Sequence, residues 1–415
     1  MKMDFGRISA AAMAAMLLVA MPQSAMAQRG GKQSAAPNYK FSKPVQSLLA
    51  QAQKAQEAND PAGALALLRQ ADALPNKNAD DVYMINVMTL NSAIVSKDNA
   101  LIEQALEGAL ASGRLSQEDE IKFRRNLGAM ALQRNDTNKA AAEFERLLAI
   151  TPNDAQMMVE VAELQRRQGN NAKAIQTLNQ AIAVQSQNGQ KADEAWYRRA
   201  LAIAYDAKLP AETTSTSEAL VRAYPNGTNW RDVLIIYRDS VKLDDQGNLD
   251  VLRLMRENGA LAGERDYAEY AETASIRGLP GEAKAVLDEG IAKGALQAGK
   301  PLVKELSASV NPKIASDKAS LAGLERESAA GKNGRMALAT ADAHLGYGNY
   351  AKAAELYKMA LEKGSVDPAT VNTRLGLALA KTGDKSGAET ALKAVTGAPR
   401  DRLARLYQIW VEQKS

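Results

Sequence analysis

Six times along the chain a Gly or Asn is followed by a small residue five positions on, a large one four further, and a small or apolar one three further. Asn59 leads to Ala64, Leu68 and Ala71; Asn135 to Ala140, Phe144 and Leu147; Gly169 to Ala174, Leu178 and Ala181. The phrase returns as Gly278 with Ala283, Leu287 and Gly290, Gly348 with Ala353, Tyr357 and Ala360, and Gly383 with Ala388, Leu392 and Val395. Self-similarity at such a period is the signature of a repeat array, and spacings of four and three keep the side chains on one face of a helix. Seven residues before the turn position stand Ala52, Gly128, Ala162, Ala200, Ala271, Ala341 and Gly376. A residue without bulk there lets the two backbones of a helix hairpin approach, and the large residue of the second helix fills the space beside it.

Taken as phase marks, Asn59, Lys97, Asn135, Gly169, Ala207, Gly278, Gly348 and Gly383 are separated by 38, 38, 34, 38, 71, 70 and 35 residues. Each doubled gap has room for one more unit, near Asp244 and near Asn311. The expected fold is therefore all-α: an α-solenoid of about ten helix hairpins over residues 44–399. Hydrophobic residues make up 46% and aromatic ones only 5%, so the core is mostly Ala and Leu, which favour closely packed helices. Residues 400–415 carry Leu403, Leu406, Tyr407 and Trp410 at helical spacing and suit a C-terminal capping helix over the last hairpin.

These residues carry a family resemblance. The unit from Leu127-Gly128 through Ala140, Phe144 and Pro152 is similar to a tetratricopeptide repeat, as is Met336 to Lys363 with its Gly348-Asn349-Tyr350 turn. The resemblance covers most of residues 45–399, with three departures. Glu212 stands where a small residue belongs after Ala207, 241–250 holds an irregular loop from Asp244 to Asp250, and 301–330 lacks the phrase. The resemblance implies a superhelix whose first helices line a concave groove for extended peptides or a partner's helix.

The N-terminus carries a different signal. Lys2 and Arg7 precede an apolar run of thirteen residues from Ile8 to Ala20, Pro22 breaks it, and Ala25-Met26-Ala27 reads as a cleavage site. The run is short of the roughly 20 residues that span a bilayer. Residues 1–27 are thus expected to be a cleaved Sec-type signal peptide, giving a mature chain from Gln28 in the periplasm with no transmembrane segment. Residues 28–43, with Arg29, Lys32, Lys40 and Lys43 and no acid, read as a disordered basic leader. With no Cys, the chain has no disulfide framework, thiolate metal site or lipobox anchor. A net charge of +4 is not the concentrated basic charge of a nucleic-acid binder, and the export signal argues against nucleic acid more strongly.

Catalytic motifs fare poorly. His344 is the sole histidine, four residues before a turn, and reads as a packed ring rather than a base or metal ligand. The stretch Gly294 to Pro301 resembles a phosphate loop, but Pro301 replaces the magnesium-holding hydroxyl and a helix precedes it. Gly346-Tyr347-Gly348 is a helix terminus and turn. The Asp244–Asn248 loop lacks calcium-loop spacing because Lys242 fills the first ligand position. No catalytic, cofactor or metal residue is expected, and the chain does not read as an enzyme. Trp196 and Trp230 read as packing residues between hairpins.

Binding remains. Lys122, Arg125, Asn126, Arg166, Arg167, Tyr197, Arg198 and Tyr205 are expected on exposed faces of first helices, where guanidinium groups suit a partner's acidic or C-terminal segment. The competing reading makes them solvated or paired with Glu one turn away. The function expected is a periplasmic scaffold or adaptor that binds envelope proteins or peptides without a cofactor. The alternative is a module for envelope polysaccharide or its export machinery, and a third reading is a carboxylate-dependent hydrolase.

Overall fold

A computed structural model describes residues 39–414, which fall into two compact units divided at Ala192 and Asp193. The signal-peptide reading of 1–27, and the leader as far as Asn38, lie outside the described residues. The described residues are helical and contain no strand.

In unit 1 the hairpins are α1 (Lys43–Glu57) with α2 (Pro61–Asp72), α3 (Ala79–Ser96) with α4 (Asn99–Ala111), α5 (Gln117–Gln133) with α6 (Thr137–Ile150), and α7 (Ala155–Arg167) with α8 (Asn171–Gln187). Local chemistry dictates the turns. Asn59, Lys97 and Asn135 adopt left-handed φ of 56–60°, which ends the first helix. The Asp that follows each (Asp60, Asp98, Asp136) caps the second helix by accepting from the backbone amide three residues on. Packing follows from the repeat phrase. Ala52, Ala64, Leu68, Gly128, Phe144 and Leu147 are buried, and a Cβ added to Gly128 would run into the Phe144 ring.

The expected disordered leader is corrected at its end: residues 39–43 are strapped to the start of α3. The Lys40 amide donates to Asp80 (2.8 Å), the Ser42 amide donates to Asp81 (3.0 Å), and the Tyr39 ring stacks on Tyr83 at 5.4 Å. These bonds satisfy carboxylates on the first turn of α3 and cover its end.

Unit 2 holds α9 (Glu194–Asp206), α10 (Pro210–Ala223), α11 (Gly227–Ser240), α12 (Asp245–Glu257), α13 (Gly263–Ile276) and α14 (Pro280–Ala292). There follow α15 (Pro301–Val310), α16 (Ile314–Ala330), α17 (Arg335–Gly346), α18 (Tyr350–Lys363), α19 (Pro368–Lys381), α20 (Lys385–Lys393) and α21 (Arg400–Glu412). The two irregular stretches are helical. Asp244 caps α12 by accepting from the Gly247 amide at 2.7 Å, so helix replaces loop from Asp245 onward. A single turn of tighter helix at Asn311–Lys313 joins α15 to α16. These two pack chiefly on α13, α14 and α17, while α14 also meets α17 directly, so the rhythm breaks here. The Glu212 departure dissolves because the left-handed residue is Lys208 (φ 55°), one position after Ala207. Counting from Lys208 puts buried Thr213 at the small position, but buried Ser217 stands where the phrase has a large residue and Leu220 follows three further.

The last helix does more than cap. α21 packs on α19 and α20 but also returns to α10 and α12 at the other end of the unit. The Tyr407 hydroxyl donates to the Asp250 carbonyl (2.7 Å), Gln413 donates to the Val221 carbonyl (2.8 Å), and the Tyr237 hydroxyl donates to the Pro399 carbonyl (2.9 Å). Unit 2 is closed upon itself.

A buried ionic cluster ties the closure together. Asp250 of α12 pairs with Arg253 (2.9 Å), Arg374 of α19 (2.9 Å) and Arg400 of α21 (2.7 Å). Arg253 reaches Glu282 of α14 at 2.6 Å and Arg374 reaches Asp342 of α17 at 2.7 Å, so three guanidinium groups meet three carboxylates. Tyr270 and Tyr357 donate to Glu282 (2.7 Å) and Asp342 (2.6 Å). Burial raises the pKa of Asp250, but the charges of Arg374, Arg253 and Arg400 outweigh it and hold the carboxyl at about 2.

Truncating one member strands the others without water, which costs about 3–5 kcal/mol. Asp250→Ala is expected to lower the unfolding free energy of unit 2 by that amount in denaturant titration. The pH dependence has a definite sign. Asp250 is depressed in the folded state relative to its ordinary 3.8, so its contribution is present above about pH 4. That contribution is lost as pH falls toward 2, and thermal melts across this window are expected to show it.

Candidate partner-binding surfaces

The eight expected binding residues divide between the units. In unit 1, Lys122 lies 2.7 Å from Glu118 and 3.5 Å from Asp119 on its own helix, and the hydrogen bond with Glu118 raises its pKa. The Asn126 amide donates back to the Lys122 carbonyl at 2.9 Å. Arg166 forks onto Glu163 (2.7 and 3.0 Å), which Arg167 also meets at 3.2 Å. The bond from Arg166 leads in holding the Glu163 carboxyl below its usual range despite partial burial. Arg125 is held most loosely: its side chain is 54% exposed and its ion pair, to Asp154, is 3.8 Å long.

In unit 2, Arg198 works as a brace. It bonds Asn229 (2.5 Å) and Asp232 (2.6 Å), joining α9 to α11. Tyr197 packs edge-on against Tyr224 with centroids 5.7 Å apart, and Tyr205 is exposed. Pairing with acids within one turn thus describes Lys122, Arg166 and Arg167, while Arg125 stays extended toward solvent. Trp230 is fully buried, in keeping with packing.

The units differ in how their helices pack. Helices of unit 1 pack on their neighbours in sequence, with α1 also touching α3. Their first-helix side chains Gln46, Gln53, Val95, Arg125 and Arg167 are exposed. In unit 2 first-helix side chains such as Tyr205, Ile276 and Met336 are exposed as well, while α21 returns to α10 and α12 and the ionic cluster lies buried among α12, α14, α17, α19 and α21. Sequence reasoning missed Asp250, Arg253 and Arg374. The available signal was a charge embedded in an apolar run, as in Leu249-Asp250-Val251-Leu252-Arg253-Leu254-Met255. A helix apolar on all sides is buried, so its charges must be paired.

His344 is buried, with Nδ1 3.2 Å from the Asn349 amide and Nε2 3.0 Å from Glu325, beside a cleft of about 500 Å³. The Asn349 N–H can only donate, which makes Nδ1 the acceptor, while the buried Nε2 makes no hydrogen bond to the described residues. Lys300, the lysine of the phosphate-loop lookalike, is engaged by Glu264 at 2.5 Å, and Pro301 opens α15. Among the described residues no group of three or more His, Cys, Asp or Glu is placed to hold a metal, and no helix is long and apolar enough to cross a membrane.

Stacked hairpins with an all-helical core define the class: a helical-repeat protein. A family model described as "Tetratricopeptide repeat" matches residues 338–402, from within α17 to the first turn of α21. That match covers 65 of the 415 residues, so this stretch is similar to a tetratricopeptide repeat. No curated protein matches. Among solved structures, a tetratricopeptide repeat protein from Parabacteroides merdae ATCC 43184 aligns at 10% identity and TM-score 0.25, covering 70% of this chain and 99% of that one. The P58(IPK) TPR domain aligns at 16% and 0.24, covering 82% and 98%. Naa15/Naa10 bound to HypK-THB aligns at 14% and 0.28, covering 86% and 64%. At these TM-scores the three likenesses carry no argument beside the family match.

The two arginines are expected to behave differently. Arg198→Ala leaves the buried Asn229 carbonyl without its donor, a loss of about 1–3 kcal/mol. Arg125→Ala removes a long, exposed contact and is expected to change stability by less than about 0.5 kcal/mol. Paired denaturant titrations check both values.

Proposed function

We propose that this protein is a non-catalytic periplasmic scaffold or adaptor, and that unit 1 presents its partner-binding face. The observation that carries this reading is Arg125, whose side chain is 54% exposed and held by one ion pair of 3.8 Å. Unit 2 uses its own C-terminal helix and a charge-balanced cluster to fill its interior. Arg125 stands on the unit 1 face with Lys122 and Asn126 beside it. A guanidinium with one long ion pair can exchange it for two short parallel bonds to a carboxylate of an incoming segment. The partner is thus a protein segment with an acidic side chain or free C-terminus. The envelope location rests on the leader: a positive start, a thirteen-residue apolar run and the Ala25-Met26-Ala27 site.

In-cell crosslinking followed by mass spectrometry is expected to recover an envelope protein through unit 1. The double change Lys122→Ala and Arg125→Ala is expected to cut recovery about tenfold, the equivalent of about 1.4 kcal/mol, with the helical circular dichroism signal unchanged. Undiminished recovery contradicts the assignment of the face. The location has its own check. The mature chain is expected in the osmotic-shock fraction with Gln28 at its N-terminus, and a cytoplasmic chain starting at Met1 contradicts it.

A further inference from the structure

In unit 2 a cleft of about 180 Å³ opens where α12, α13, α14, α17, α19 and the Gly348 turn meet. Its wall includes Arg253, Arg256, Glu257, Tyr270, Tyr347 and Tyr350. At roughly 30 Å³ per water, it offers the space of about six waters, the size of one sugar ring rather than a peptide or a drug-sized ligand. We infer that this cleft binds a neutral polyhydroxylated ligand, a single saccharide unit, independently of any partner on unit 1.

Three features point to that chemistry. The charges are matched in advance: Arg253 with Glu282 (2.6 Å), Arg256 with Glu289 (2.6 Å) and Glu257 with Lys381 (2.9 Å). The two carboxylates in the wall, Glu257 and Glu282, and the two guanidinium groups are paired already, so no net charge is left for an ion and an uncharged ligand is preferred. Second, hydrogen-bonding capacity is left over. Arg256 bonds Glu289 through Nε alone, and both Nη groups make no bond to described protein atoms. The Tyr350 hydroxyl also has no hydrogen-bond partner among the described residues, although Lys381 lies 5.2 Å from its ring centroid. A planar guanidinium edge and a phenol together match vicinal hydroxyls, which both accept and donate.

Third, the aromatic walls are held in place. Tyr270 is fixed by its 2.7 Å bond to Glu282. Tyr347 is fixed by a 2.7 Å bond to Asp317 and by packing over Gly281, where a Cβ would collide with the ring. Rigid tyrosines supply contact area at little entropic cost and suit the C–H face of a sugar ring.

Saturation-transfer NMR on the folded full chain, with N-acetylglucosamine and glucose as probes, tests the site. Transfer to the ring protons of at least one sugar is expected, with millimolar affinity. Tyr350→Phe and Arg256→Lys are each expected to weaken the titrated affinity about tenfold while the thermal midpoint stays put. Inorganic phosphate is expected to leave the signal unchanged. Absence of transfer from both sugars, unchanged affinity in both variants, or displacement by phosphate overturns the inference.

Discussion

Asp250 is the residue on which the C-terminal unit depends. Its carboxylate lies in the interior and accepts from arginines of three helices: Arg253 of its own, Arg374 of α19 and Arg400 of α21. Such a cluster is not a source of raw stability, since desolvation offsets most of the Coulomb attraction. Its effect is on specificity. The observed arrangement of α12, α14, α17, α19 and α21 pairs three guanidinium groups with three carboxylates, and a slip between these helices leaves a buried charge unpaired. The apolar seam of Tyr407, Trp410, Leu403 and Ile409 supplies the attraction, and the cluster selects the register.

Closure has a consequence for binding. A repeat array that ends freely leaves its first-helix faces to solvent and to partners. Here the C-terminal unit is closed by its own last helix, and the proposed partner face is on the N-terminal unit. The small tyrosine-walled cleft in the closed unit suits a compact ligand and leaves no room for an extended one. The two proposed recognitions thus concern separate units of one chain.

The hairpins were legible in the sequence because each is a local event. A left-handed residue, an Asp cap and small residues at fixed offsets act within some twenty positions, as at Asn59-Asp60 and Asn135-Asp136. A shift of one position is also local: Lys208, not Ala207, takes the positive φ, which moves the small position from Glu212 to Thr213. What stayed hidden spans long distances. Arg374 and Asp250 are 124 residues apart, and no spacing rule pairs them. The same limit applied to Arg198, which has the surface pattern of a binding residue but reaches a buried Asn on another helix. Asp-Asp-Gln-Gly-Asn has turn composition, so the sequence of Asp244–Asp250 alone suggests a loop. Tertiary burial of Leu249 and Asp250 overrides that propensity.

Native-state hydrogen exchange resolved by helix tests closure most directly. If the cluster and seam lock the unit, amides of α12 and α21 open together at the free energy of unit 2 as a whole. They then show equal protection, with the same dependence on denaturant. If α21 exchanges orders of magnitude faster than α12 while α12 stays protected, the helix is only a terminal cap and the account of a self-filled unit fails.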